Sequence, residues 1–180
     1  MKLVNCLLIA CLLLCLSSSL AAGQTRANSS RAISLCARDE KTVWSCEITN
    51  RKIASICSSP QLDATRGYVQ YRFGRAGRVE LEFPQQRENT QSAFTYKRYT
   101  RPLVTYLAVR FSAGGYTYKI YDQFNDEERP RRREAYISIT PPSSDGARSL
   151  DLNCRRPVTG TLMDLEDVVT KSSDDDLTEP

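Results

Sequence analysis

The feature that most constrains the fold of this chain is a series of short segments in which apolar and polar residues alternate. The clearest lie at 41–49, 68–73 and 78–83. Successive side chains of a β-strand point to opposite faces of a sheet, so the pattern predicts half-buried strands. Further strands are predicted at 52–57, 93–99, 103–111, 116–121, 135–140 and 148–154. A sustained helical period is missing, apart from one short turn of helix predicted near 162–169.

These segments amount to about nine short strands, separated by turns rich in glycine, proline and polar residues. Such spacing is typical of antiparallel sheets that pack face to face or close on themselves. The sequence therefore predicts an all-β fold, an antiparallel β-sandwich or small barrel that is disulfide-bonded.

The N-terminus has the three parts of a secretory signal peptide: Lys2, an apolar run at 6–16, and small residues at 17–23. The run is too short to cross a bilayer, which takes roughly 20 residues. A lipoprotein cleavage site at Cys11 is the less favoured alternative, because it would cut the apolar run in half. We therefore expect a periplasmic or secreted protein without a transmembrane segment. The predicted divisions are a signal peptide at 1–23, a flexible leader at 24–32, a β domain at 33–170 and a disordered acidic tail at 171–180.

Four cysteines follow the predicted signal peptide: Cys36, Cys46, Cys57 and Cys154. An even number in an exported chain predicts two disulfides. The alternative is a zinc site, but the chain has no histidine and no C-x-x-C pair. The three possible pairings stay open.

A two-residue turn at Asn50 and Arg51 would place Ile48 opposite Ile53 and Cys46 opposite Ser55. Cys57 would then be a diagonal neighbour of Cys46, further away than a relaxed disulfide prefers, and a bulge would bring the two together.

Charge is unevenly distributed along the chain. Residues 24–163 hold 23 lysines and arginines against 14 acids, a net charge of +9, whereas the segment from Asp164 onward has a net charge of −6. A basic body attracts anionic polymers, although a soluble arginine-rich surface gives the same composition. In the same way, the acidic run at 126–128 and the basic run at 129–133 predict a solvated loop with local ion pairs.

Six motifs resemble those of a family of small exported bacterial proteins for which no activity is established. They are VWSC at 43–46, GYVQYRFG at 67–74, VELEFP at 79–84, YTRP at 99–102, GYTYKI at 115–120 and LEDV at 165–168. The resemblance covers nearly all of the chain after the signal peptide. It implies a bacterial periplasmic or secreted location and no particular chemistry.

The absence of histidine excludes Ser-His-Asp and Cys-His catalysis and any imidazole metal ligand. We therefore expect no cofactor, no metal site and no catalytic residues. The best catalytic alternative is a pair of carboxylates, Glu80 and Glu82, which would share one strand face with Cα atoms roughly 6.6–6.8 Å apart. That spacing approaches the one used by glycosidases. A solvated strand face beside Arg78 explains the same residues and is favoured.

Tyrosines alternate with basic residues in three of the predicted strands. Aromatic rings with flanking cations bind sugars or single-stranded nucleic acid, although tyrosine is also common in ordinary strands. The predicted binding residues are Tyr68, Arg72, Tyr96, Arg98, Arg101, Tyr118 and Lys119.

These patterns predict an exported, non-catalytic binding protein of the bacterial envelope whose ligand is unknown. One version is an inhibitor or accessory factor of another exported protein. The alternatives are a binding module for an anionic or glycan polymer of the envelope, and a glycan hydrolase that uses the two glutamates. A nucleic-acid partner is not expected.

Overall fold

The computed structural model of the chain describes residues 33–142 and 148–173. The predicted signal peptide and leader lie outside the described residues. The strands are β1 (Lys41–Glu47), β2 (Ile53–Ser58), β3 (Val69–Arg75), β4 (Arg78–Phe83), β5 (Thr95–Arg101), β6 (Val104–Ala113), β7 (Tyr116–Asn125), β8 (Arg132–Thr140), β9 (Leu150–Asn153), β10 (Arg155–Gly160) and β11 (Thr170–Lys171). Three short 3-10 turns cover Thr49–Arg51, Gln91–Ala93 and Leu162–Leu165.

The strands form two sheets that pack face to face. The five-stranded sheet has the order β10-β1-β2-β3-β4 and is antiparallel throughout. The six-stranded sheet has the order β11-β5-β6-β7-β8-β9, and only its edge strand β11 is parallel to its neighbour. The described residues close no barrel, so the all-β prediction is confirmed in its sandwich form.

The core lies between the inner faces of the two sheets. The five-stranded sheet contributes Trp44, Ile56 and Tyr71, each at most 1% exposed. The six-stranded sheet contributes alternate residues of β5 to β8, namely Tyr96, Leu107, Val109, Phe111, Ile120 and Ile137, and Phe94 lies in the same core directly before β5. These are the apolar positions of the alternating pattern, which is why a period of two predicted the strands. Trp44, in the alternating segment 41–49, is one of these buried positions.

The chain changes sheets at Cys154, between β9 and β10. Cys154 is bonded to Cys46 of β1, so this disulfide joins the two sheets covalently. The second disulfide joins Cys36 to Cys57 of β2. Both predicted disulfides are thus confirmed. All four thiols are consumed, and the zinc alternative does not hold.

The predicted pairing of β1 with β2 is wrong by one residue. The turn between them contains three residues, with Asn50 and Arg51 both in the left-handed region, and is closed by the Ile48 N–H donating to the Lys52 carbonyl at 2.8 Å. Cys46 therefore lies opposite Ala54 and not opposite Ser55. As a result, Cys57 faces away from Cys46 and towards the outside of the sheet.

Residues 33–40, called the strap here, lie across the outer face of the five-stranded sheet. The Ser45 hydroxyl donates to the Ile33 carbonyl at 2.8 Å, and the Leu35 N–H donates to the Ser55 hydroxyl at 3.0 Å. The disulfide from Cys36 fixes the middle of the strap. A polar sheet face that the alternation predicted as solvent-facing is therefore buried, with Ser45 and Ser55 both 0% exposed.

The C-terminal segment packs back on the sandwich. The predicted turn of helix is the 3-10 turn Leu162–Leu165, whose two leucines are 0% exposed. β11 pairs with β5, and the Ser172 N–H donates to the Tyr96 carbonyl at 2.8 Å, so pairing continues past the predicted domain end at 170. The acidic tail from 174 onward lies outside the described residues. None of the described segments forms a helix with the length and apolar character needed to cross a membrane.

Candidate functional site

The seven predicted binding residues do not form one surface. Tyr68 and Arg72 lie under the strap, on the outer side of the five-stranded sheet. Tyr96, Arg98 and Tyr118 belong to the inner face of the six-stranded sheet. Only Arg101 and Lys119 lie on its outer face. The reason is the alternation itself, because neighbouring tyrosines on one strand point to opposite sides.

Arg72 is part of a buried polar network and is 3% exposed. Its Nη1 and Nη2 donate to the two carboxylate oxygens of Glu40, each at 2.6 Å, and its Nε donates to Glu82 at 2.9 Å. Tyr68 donates its hydroxyl to Glu40 at 2.7 Å, and Arg72 also bonds the amide oxygen of Gln70. These groups hold the strap on the sheet and are not available to a ligand.

The pKa values in this network follow from its contacts. Burial opposes ionisation of Glu40, but hydrogen bonds from Arg72, Tyr68 and the Ala37 N–H, with the charge of Arg72, lower its pKa to about 2. Burial and the bond to Glu40 raise the pKa of Tyr68 to about 12. The network is therefore a fixed ion pair at neutral pH.

The three predicted binding residues on the inner face also contact other parts of the protein. Tyr96 is 1% exposed, and burial together with the nearby Glu166 raises its pKa to about 12. Tyr118 stacks on Phe111 with ring centroids 4.8 Å apart. Arg98 donates to Glu166 at 2.6 Å. Tyr96 and Arg98 thus connect the sheet to the C-terminal segment, and Tyr118 packs against the core.

The predicted carboxylate pair engages two different cations. Glu80 accepts from Lys52 at 2.6 Å, whereas Glu82 accepts from Arg72 at 2.9 Å. The ladder shifts between β3 and β4, leaving Glu80 without a partner position and interrupting the predicted alternation. The hydrogen bond from Lys52 lowers the pKa of Glu80. A glycosidase needs one carboxylic acid with a raised pKa. The pKa of Glu80 is shifted in the opposite direction, which does not fit that role.

The outer face of the six-stranded sheet brings tyrosines and basic residues of four neighbouring strands together. We call this surface the basic tyrosine face, and it consists of Lys97, Tyr99, Tyr106, Arg110, Lys119, Tyr121 and Tyr136. The ladder places Lys97 opposite Ala108, Ala108 opposite Tyr121, and Tyr121 opposite Tyr136. These positions alternate with core residues, so the seven side chains share the outer side of the sheet. Tyr99 is exposed there, Tyr121 is buried, and the other five are half-buried.

The rings of this face form two cross-strand stacks. Tyr121 and Tyr136 have centroids 4.5 Å apart at an interplanar angle of 18°, and Tyr99 and Tyr106 have centroids 5.9 Å apart at 23°. Tyr121 is only 5% exposed, while Tyr99 is 45% exposed. The Tyr121–Tyr136 stack thus forms a small hydrophobic cluster with Ala108, whereas the Tyr99–Tyr106 stack has one ring exposed to solvent.

The cations of this face lie beside the rings. Arg110 and Lys119 occupy directly opposite positions of β6 and β7. Two cations at directly opposite positions concentrate positive charge on this part of the sheet. Lys97 lies diagonally across from Arg110, on the next strand. Three cations thus converge on one half of the face.

The other half of the face ends in a polar pocket of about 190 Å³. Its lining residues are Tyr106, Gln123, Asn125, Glu128, Arg132 and Glu134. Arg132 bridges the two acids, with Glu128 at 3.4 Å and Glu134 in closer contact. Arg101 donates two hydrogen bonds to the carboxylate of Glu127, at 2.5 and 2.9 Å, and these hold the start of the β7–β8 loop against β5. The predicted local ion pairs of this loop are confirmed.

Gln123 forms part of this pocket, and its amide nitrogen is buried. Within residues 33–142 and 148–173 that nitrogen has no hydrogen-bond partner. An unpaired buried donor costs about 1–3 kcal/mol. A ligand that accepts from the amide would remove this cost.

Only Lys119 of the basic tyrosine face is among the predicted binding residues. The prediction does not include the other six residues of the face or Gln123 of the pocket. Each strand's alternation contained the signal, since positions of the same parity as Lys97 and Lys119 must point away from the core. Which residues meet across strands depends on the register of four strands, and the sequence alone does not specify that register.

No family model matches the chain, and no significantly similar protein was found among curated proteins or among solved structures. The functional interpretation therefore depends on the geometry described above.

Proposed function

We propose that the protein is an exported, non-catalytic binding protein that holds an anionic polymer against the basic tyrosine face. The observation that carries the proposal is the cross-strand pair Arg110 and Lys119 beside stacked tyrosine rings. A bound carboxylate, sulfate or phosphate beside the two cations would accept charge-assisted hydrogen bonds from both. The exposed ring of Tyr99 adds a flat apolar surface for the polymer chain.

The shape of the face favours a polymer over a small molecule. β5 to β8 are neighbours roughly 4.8 Å apart, so the face is roughly 14 Å wide between its outermost strands. Small ligands are usually enclosed in a concave cavity, whereas an extended chain can lie across an open sheet. This supports the polymer-binding alternative over an inhibitor, which would present a protruding loop. The β7–β8 loop is instead tied down through Glu127.

Two observations bear on the remaining expectations. The disulfides Cys36–Cys57 and Cys46–Cys154 indicate an oxidising, non-cytoplasmic compartment. A signal peptide at 1–23 and a periplasmic or secreted location are part of the proposal. The lowered pKa of Glu80 speaks against a general acid at that position, which supports a non-catalytic role.

The test is binding of polygalacturonate, a polymer of acidic sugars, measured by calorimetry at low and at physiological salt. The double variant Arg110→Ser, Lys119→Ser should weaken binding at least about tenfold, because each charge-assisted contact is worth roughly 1.5–3 kcal/mol. Its salt dependence should also be shallower.

The chain offers a matched control in Arg75 and Arg78, which are also directly opposite cations but lie on the other sheet beside Glu80. Arg75→Ser, Arg78→Ser makes the same change in net charge and should leave affinity within about twofold. If both double variants lost the same affinity, binding would depend only on the net charge of the protein, and the proposal would be contradicted.

A further inference from the structure

The pocket around Gln123 shares Tyr106 with the basic tyrosine face, so one ligand can occupy both. We infer that the pocket holds a sugar ring of the bound polymer, and that the polymer is therefore an acidic polysaccharide. This inference rests on the proposed function and adds the chemical class of the ligand.

The hydrogen-bonding groups of the pocket match sugar hydroxyls. A hydroxyl both donates and accepts, and the pocket offers carboxylate acceptors in Glu128 and Glu134 beside donors in Arg132 and Gln123. The buried nitrogen of Gln123 needs an acceptor, and no described residue supplies one. A hydroxyl oxygen meets that need without bringing a negative charge close to the two acids.

The same groups disfavour the other polyanions. A phosphate or carboxylate directed into the pocket would be repelled by Glu128 and Glu134, and an apolar group would leave the Gln123 amide nitrogen unpaired. A uronic acid ring avoids both costs when its hydroxyl edge enters the pocket and its carboxylate points out of it. The volume of about 190 Å³ is below the range of drug-sized sites and suits a single small ring. Tyr106, stacked on Tyr99, supplies an aromatic surface next to the pocket.

The distance between the pocket and the cations also requires an extended ligand. Gln123 and Lys119 lie on the same face of β7, four residues apart, which corresponds to roughly 13 Å along a strand. A polysaccharide with a hydroxyl-rich ring at one point and an acidic group further along reaches both. The pocket selects sugars, and the cations select their charge.

The pocket groups are fixed before a ligand arrives. Arg132 is bonded to both Glu128 and Glu134, and Asn125 accepts from the Glu127 N–H at 2.9 Å. Little ordering of side chains is then needed on binding, which favours affinity.

The experiment compares polygalacturonate with poly-L-glutamate, which has a similar charge but no ring hydroxyls. The wild type should bind polygalacturonate at least fivefold more tightly. Gln123→Met keeps the size of the side chain and removes its amide, so it should remove most of that preference while leaving poly-L-glutamate binding unchanged. Its melting temperature should be unchanged or higher, because a buried unpaired donor is lost; a lower value would show that the amide serves the fold and would overturn the inference.

Glu128→Gln is a second variant at an exposed position of the same pocket. It should weaken polygalacturonate binding and strengthen poly-L-glutamate binding, since it removes an acceptor and a repelling charge together. Equal affinity of the wild type for both polymers, with no effect of either variant, would overturn the sugar site but leave the proposed function standing. No binding of either polymer would overturn the proposed function itself.

Discussion

Glu40 and Arg72 form an ion pair whose side chains are 1% and 3% exposed. Buried ion pairs are not strong sources of stability in themselves, but removing one partner leaves an uncompensated charge in the protein interior. Here the pair also fixes the strap, because Arg72 donates to the Leu35 carbonyl at 3.0 Å. The role of the ion pair is to hold the strap on the polar outer face of the five-stranded sheet.

Glu40→Gln should lower the free energy of unfolding at pH 7 by roughly 3 kcal/mol, since the buried Arg72 then keeps only the partly exposed Glu82 as a counter-charge. The pKa of Glu40 is depressed from 4.5 to about 2. Its contribution is therefore fully present above about pH 4.5 and is lost as the pH falls towards 2. Urea unfolding of both proteins between pH 2 and 7 measures the difference. A gap that is absent at pH 7, or that fails to narrow in acid, would contradict the assignment.

At the scale of single residues the alternation predicted which positions share a face, since core positions recur every second residue. It did not predict which polar residues are buried, and Tyr96 and Arg72 were predicted to bind a ligand although they are 1% and 3% exposed. Arg72 and Tyr68 could not be placed, because their partner Glu40 lies in a segment without any alternating pattern. A long-range pair between a strap and a strand leaves no local signal.

Among the elements, β10 is held unusually close to β1. Gly160 lies opposite Trp44 with a φ of 72°, and a Cβ atom added to it would lie 2.1 Å from the Val43 carbonyl oxygen. The backbone of β1 leaves no space for a side chain there. Glycine is required at this position both for its conformation and for the approach of the two strands.

Gly160→Ala should therefore destabilise the protein by more than about 3 kcal/mol, because strain and a backbone clash add together. Gly77→Ala is the control: its φ is also positive, at 77°, but a Cβ there meets nothing within 4 Å. It should cost about 1–2 kcal/mol, the conformational part alone. Thermal unfolding compares the two, and equal losses would show that the contact with Val43 carries no weight.

The sequence did not predict β10 and β11, the two strands whose pairing depends on contacts with distant parts of the chain. β10 contains Pro157 and two arginines, and nothing in that composition predicts a strand. It pairs with β1, and the Cys46–Cys154 bond directly before it holds the two strands together. β11 has two residues, too few for any period, and exists because the 3-10 turn before it is buried against the core.

Across the whole molecule the two disulfides constrain loops of very different length. Cys46 and Cys154 are 108 residues apart, and Cys36 and Cys57 are 21 apart. In the chain-entropy model these correspond to about 5 and about 3 kcal/mol. The longer bridge also joins the two sheets.

Replacing Cys46 and Cys154 together by alanine should thus lower stability more than the same change at Cys36 and Cys57. Only the second pair should release the strap and increase hydrogen exchange at Leu35. Denaturant unfolding without reductant, combined with exchange measurements, tests both statements. Equal destabilisation by the two double variants would contradict the assigned roles.

The central claim is that the outer face of the six-stranded sheet binds an anionic polymer, and hydroxyl-radical footprinting tests it most directly. Tyr99 and Tyr116 are equally accessible, at 45% and 43%, but only Tyr99 belongs to the basic tyrosine face; Tyr116 has inner-face parity at the β6–β7 hairpin. Saturating polygalacturonate should slow the oxidation of Tyr99 several-fold and leave Tyr116 unchanged. Protection of Tyr116 with Tyr99 still oxidised at its free rate would place the ligand elsewhere and contradict the account.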